Sequence, residues 1–123
     1  MTPLRPLAVL LCLTASPSFA DTGLLVIPHL SETDSVDLLT DLAVANVISQ
    51  NCTGFEITDA EYDLLNGASG ILSTRFRLDP PTYNEMFLHP AYGVLAEEDG
   101  CAVEGPKIQT LIDRLIGWGA VLE

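Results

Sequence analysis

The chain has 123 residues, with 17 acidic against 5 basic side chains and a formal net charge of −12. That balance argues against nucleic acid or an anionic lipid surface as a partner, because both are met with a positive footprint. With 48% hydrophobic residues there is apolar material for one small core, and no internal repeat or linker divides it.

Met1–Ala20 has the three parts of a secretory signal: Arg5, the apolar run Leu7–Leu13, and the small-x-small site Ser18-Phe19-Ala20. Cleavage is expected after Ala20, leaving Asp21–Glu123 as a single helical domain in the periplasm. The apolar run is shorter than the roughly 20 residues that span a bilayer. Cys12 follows Leu11, where lipoprotein processing needs a small residue, so no lipid anchor is expected. Later segments are too polar to span a membrane. Asp21–Glu32 reads as an extended arm whose apolar patch, Leu24–Ile27, lies across a helix groove or forms a brief strand.

Asp34–Cys52 reads as the central helix. Val36, Leu39, Ala43 and Val47 recur at helical spacing, and Leu38, Leu42 and Ala45 widen the stripe. From Leu42 to Ile48 only Asn46 is polar, which predicts burial nearly all round. Asn46 itself is expected to be a core amide bonded to neighbouring backbone, a ligand contact being the sharper alternative. Thr33 or Asp34 is expected to cap the helix, and Gly54 to stop it in a left-handed conformation.

Thr58-Asp59-Ala60-Glu61 spells a capping box before a second helix that carries Leu64, Leu65, Ala68, Ile71, Leu72 and Phe76 on one side. Gly67 and Gly70 suggest close packing on the central helix. Arg75 and Arg77, at its end, are expected to serve the negative pole of the helix and surface ion pairs, with an anion site as the alternative. Asp79-Pro80-Pro81-Thr82 restarts the chain, Thr82 and Glu85 offering a second capping box, and His89-Pro90 is expected to interrupt or kink that helix. Glu97–Gly100 reads as a turn. The last helix begins near Gly105-Pro106 and repeats Ile108, Leu111, Ile112, Leu115 and Ile116, before Gly117-Trp118-Gly119 ends it and Ala120–Leu122 forms an apolar tail. The expected fold is an all-α bundle of about four helices.

Removal of the signal leaves Cys52 and Cys101. An even count in an exported chain predicts a disulfide between them, worth roughly 4 kcal/mol for a loop of about 50 residues. A redox-active pair is disfavoured, since there is no C-x-x-C motif and no adjacent cation to lower a thiol pKa. Asn51-Cys52-Thr53 matches a glycosylation sequon but is discounted because its middle residue is in the disulfide and the signal is bacterial in form.

Catalytic patterns are lacking. His29 and His89 are isolated, so neither zinc nor another metal is expected, and Glu97–Gly100 lacks the alternation of a calcium loop. There is no G-x-S-x-G, phosphate loop or dinucleotide fingerprint, so no cofactor is expected. Asp59 and Asp63 share a helix face and read as solvated.

Asn51-Cys52, Ile57, Cys101-Ala102-Val103 and the late Leu111-Ile112 and Ile116-Gly117 pairs resemble a family of small exported proteins from the Rhodobacter group of alphaproteobacteria. The family has an arginine shortly after the isoleucine, where this chain has Thr58. The resemblance implies export, helices and the disulfide, and no reaction. The leading functional expectation is a non-enzymatic periplasmic protein acting through protein contacts at apolar, mobile ends, Leu24–Ile27 and Trp118–Leu122. An acid-stress chaperone is the alternative, and an enzyme of unfamiliar type ranks last.

Overall fold

A cap, a long helix and a second cap set the frame. In the computed structural model, which describes residues 25–122, the Ser31 hydroxyl accepts the Asp34 amide at 3.0 Å and opens α1 (Glu32–Asn51). The cap is therefore Ser31, ahead of both Thr33 and Asp34, and the helix starts a half-turn earlier than the apolar pattern indicates. The export-signal reading, its cleavage site and Leu24 lie outside the described residues.

The second half of α1 is enclosed as expected. Leu42, Ala43, Ala45, Val47 and Ile48 are buried, and Val44 and Asn46 are half-buried. Val36 departs from the expected stripe and is exposed, while Ser35, Leu38 and Leu39 turn inward. Near its start α1 is covered on one side only, so the inward arc there runs through Ser35, Leu38, Leu39 and Leu42, and Val36 falls outside it. The helix ends at Cys52, whose amide donates to the Ile48 carbonyl; Gly54, at φ +93°, forms the turn beyond rather than the cap itself.

The capping box of α2 (Asp59–Arg75) is complete: the Thr58 hydroxyl accepts the Glu61 amide at 3.1 Å and the Glu61 carboxylate accepts the Thr58 amide at 2.9 Å. Leu65, Ala68, Ser69 and Leu72 are buried, with Leu64, Ile71 and Phe76 packed beside them. Gly67 and Gly70 are exposed, with no neighbouring atom within 4 Å of where a Cβ would stand. The close approach expected of them is absent, because Ala68 and Ser69 occupy the inward arc instead. At the end of α2 the Leu78 amide reaches the Ser73 carbonyl and the Arg77 amide that of Thr74, a Schellman closure in which Arg77 takes φ +57°.

Residues 80–95 form one helical stretch. α3 (Pro80–Tyr83) is capped by Asp79, whose carboxylate accepts the Thr82 amide at 2.9 Å, so Thr82 and Glu85 do not make the expected box. A π-helical turn, Asn84–Leu88, leads into α4 (His89–Leu95). Pro90 supplies no amide hydrogen, and its ring collides with the carbonyl four residues back in regular α geometry. The wider turn just before it, with the His89 amide on the Asn84 carbonyl, carries the helix through instead of breaking it.

After the turn at residues 96–99 comes α5 (Gly100–Glu104), a single helical turn the sequence pattern does not announce, and then α6 (Lys107–Gly117). Pro106 occupies the cap of α6 rather than its first helical position. Ile108, Leu111, Ile112 and Leu115 are buried, and Ile116 is exposed. The Cys52–Cys101 disulfide joins the end of α1 to α5, with Cα atoms 5.7 Å apart. Among the described residues there is no strand, and no helix is long and apolar enough to cross a membrane. The result is a small all-α bundle around α1, tied by one disulfide.

Candidate functional site

α6 brings together the two features with functional potential. On one side, a groove of about 330 Å³ runs between α1 and α6. Val44, Ala45, Ile108 and Leu111 make its apolar floor, while Asp41, Glu104, Lys107, Thr110 and Arg114 stand around it. Val44 and Ala45 follow Asp41 by three and four residues on α1, and Lys107, Leu111 and Arg114 are spaced likewise on α6, so helical geometry alone puts each set on one face.

The four charges of the groove are not equivalent. Lys107 Nζ pairs with Glu104 at 2.9 Å, which uses one of each sign. Among the described residues, Asp41 and Arg114 have no ion-pair partner within 4 Å. The Arg114 guanidinium instead lies over the Trp118 ring, 5.0 Å from its centroid. Partial burial pushes the Asp41 carboxyl above the ordinary aspartate range, and the positive charge of Arg114 across the groove offsets part of that shift. The two groups thus feel each other across a gap too wide for contact.

The second feature is the far end of α6. The helix closes at Trp118 with Gly119 at φ +106°, the Gly119 amide on the Ile116 carbonyl and the Ala120 amide on that of Leu115. This folds Ala120 into the interior and leaves Ile116 (38% exposed), Val121 (55%) and Leu122 (38%) on the surface beside half-buried Trp118. The segment expected to be a free apolar tail is therefore tethered, with its outer side chains uncovered.

The other residues singled out by sequence take structural positions. Asn46 donates to the Asn66 side-chain carbonyl at 3.0 Å and accepts from the Gln50 side chain. It bonds an amide on the facing helix, not the backbone as expected. Arg75 neither pairs with an acid nor marks an anion site; its guanidinium donates to the carbonyls of Ile27 (2.6 Å) and Pro28 (3.1 Å). That bond pins the arm, whose Ile27 is in the core and whose Leu25 and Leu30 pack against it. Of the described part of the amino-terminal apolar patch, Ile27 is buried, Leu25 is half-buried and Val26 is exposed. Arg77 serves the α2 terminus. His29, His89, Asp59 and Asp63 are exposed, and no group of three or more His, Cys, Asp or Glu side chains among the described residues is placed to hold a metal.

Asp41, Thr110 and Arg114 fall in no motif of the sequence, and Lys107 stands out only as a basic residue after Gly105. The available signal was the seven-residue interval from Lys107 to Arg114, which places two of the four basic residues after Ala20 on one face of α6. Fold and groove define the molecule as a small, acidic, disulfide-tied helical bundle. No family model, no curated protein and no solved structure matches the chain.

Proposed function

We propose that this is an exported, non-enzymatic protein of the periplasm that acts by contact with another exported protein, using the carboxy-terminal end of α6. The observation carrying this reading is the density of exposed aliphatics at this end: Ile116, Val121 and Leu122 fall within seven residues, around a closure that fixes Ala120. Isolated exposed aliphatics are ordinary on a protein surface, whereas several close together in the chain are what a partner covers. The signal-like amino terminus, the disulfide and the resemblance to exported proteins of the Rhodobacter group all support export. Edman sequencing of the periplasmic form should begin at Asp21.

The contact is tested by placing a photoreactive amino acid at Val121 in the full chain and irradiating the source bacterium. A discrete protein adduct is expected, lost when Ile116→Glu is added and absent when the probe stands at Asp63. Identical adducts from positions 63 and 121, or none from 121, would refute the reading.

A further inference from the structure

We infer that the groove between α1 and α6 binds a small aliphatic zwitterion, an apolar α-amino acid or short peptide, with its carboxylate on Arg114, its ammonium on Asp41 and its side chain on the floor formed by Val44, Ala45, Ile108 and Leu111. This site is separate from the apolar end of α6 and does not depend on the contact proposed there.

Three observations carry it. The first is size: about 330 Å³ lies at the small end of ligand sites, which run to roughly 300–1,000 Å³. The second is charge pairing. Glu104 and Lys107 satisfy one another, leaving one acid and one base on facing helices. Asp41 and Arg114 interact through space but are not within 4 Å, so a group carrying both charges can bridge them without displacing an existing pair. The third is the arginine's surroundings. Its Cζ lies 5.0 Å from the Trp118 centroid and no carboxylate is within 4 Å among the described residues, so its N–H groups are left for a planar anion, which arginine binds in a fork.

The composition of the floor selects among zwitterions. Its four aliphatic side chains favour leucine-like side chains over polar ones. Partial burial, together with the like charges of Asp37 and Glu104 nearby, raises the Asp41 pKa, so an ammonium beside it relieves that repulsion. Both charges of the ligand are therefore required, and blocking either end leaves one protein charge unmatched.

The test is titration of the chain lacking residues 1–20, with its disulfide intact, followed by amide chemical shifts and calorimetry. The probes are L-leucine, L-leucyl-L-leucine, N-acetyl-L-leucine and L-leucinamide. Shifts are expected at Thr110 and Ala45 with leucine or dileucine, and the tighter of the two identifies a free amino acid or a peptide as the source. N-acetyl-leucine, leucinamide, Asp41→Asn and Arg114→Gln should each weaken binding by about tenfold or more, whereas Arg75→Gln should leave it unchanged. Circular dichroism of each variant confirms that the fold is retained. No saturable shifts at millimolar leucine and dileucine, equal binding of the blocked probes, or undiminished binding by both groove variants would overturn the inference.

Discussion

Breaking the Cys52–Cys101 bond should loosen α5 before it loosens α6. The bond joins residues 49 apart, and on the chain-entropy account closing such a loop contributes about 4 kcal/mol. That is a large share of the roughly 5–15 kcal/mol by which a small domain is stable. The loss will not be uniform. α5 is one turn long and buries only Gly100, so apart from the disulfide little holds it to α1. α6 has anchors of its own: buried Ile108, Leu111, Ile112 and Leu115, the Gln109–Glu61 hydrogen bond at 3.1 Å, and Gly105 set against the Phe55 ring. In Cys101→Ser, or after reduction, global stability to urea should fall by about 2–5 kcal/mol. Native-state hydrogen exchange should then show the Val103 and Gly105 amides, bonded to Asp99 and Cys101, opening well below the global free energy, with the Leu111 and Leu115 amides still at it. Equal protection of α5 and α6 in the reduced protein would refute this division. An unchanged urea midpoint would refute the larger claim that the bond stabilises the fold.

Three other perturbations test separate parts of the structure. Arg77 is the one non-glycine residue with positive φ among the described residues, so Arg77→Gly should raise stability by about 0.5–1 kcal/mol, the relief of left-handed strain less the added freedom of the unfolded chain; a lower thermal midpoint would contradict the Schellman assignment. A Cβ at Gly105 would stand 2.5 Å from the Phe55 ring, so Gly105→Ala should destabilise by about 1–3 kcal/mol, and Phe55→Leu should recover part of that in a double-mutant cycle, simple additivity being the refuting result. Asp41 ionises above the ordinary aspartate range because burial disfavours its charge, so the folded state holds the proton more tightly than the unfolded one. Its ionisation therefore removes stability as pH rises from the unfolded pKa through the folded one. Asp41→Asn should close that gap, gaining on the parent as pH rises above the ordinary aspartate range, and parallel stability curves would show that the carboxyl is not desolvated.

The helices were legible in the sequence because their signals are local. A capping box needs four residues, and Thr58 to Glu61 supplied them; Ile108, Leu111, Ile112 and Leu115 mark an inward arc by spacing alone. The near-complete burial of Leu42–Ile48 followed from having one polar residue in seven. With Cys12 set aside as part of the expected signal, Cys52 and Cys101 admit one intramolecular pairing, so the disulfide too could be read without coordinates.

What tertiary structure decided was which of several locally acceptable roles each residue took. Ser31, Thr33 and Asp34 are all competent caps, and the path of the arm, pinned by Arg75 on the Ile27 and Pro28 carbonyls, goes with Ser31. Asn46 needed a partner in any fold, but only the approach of α2 makes it Asn66. Pro90 announced a disturbance, and the observed outcome is a π turn carried through without a break. The groove was least legible of all, since Asp41 and Arg114 are ordinary surface residues of their own helices. They form a site only because α1 and α6 pack with those faces together, a long-range consequence of burying Leu38, Leu42 and Ile48 with Ile108, Ile112 and Leu115 in one core.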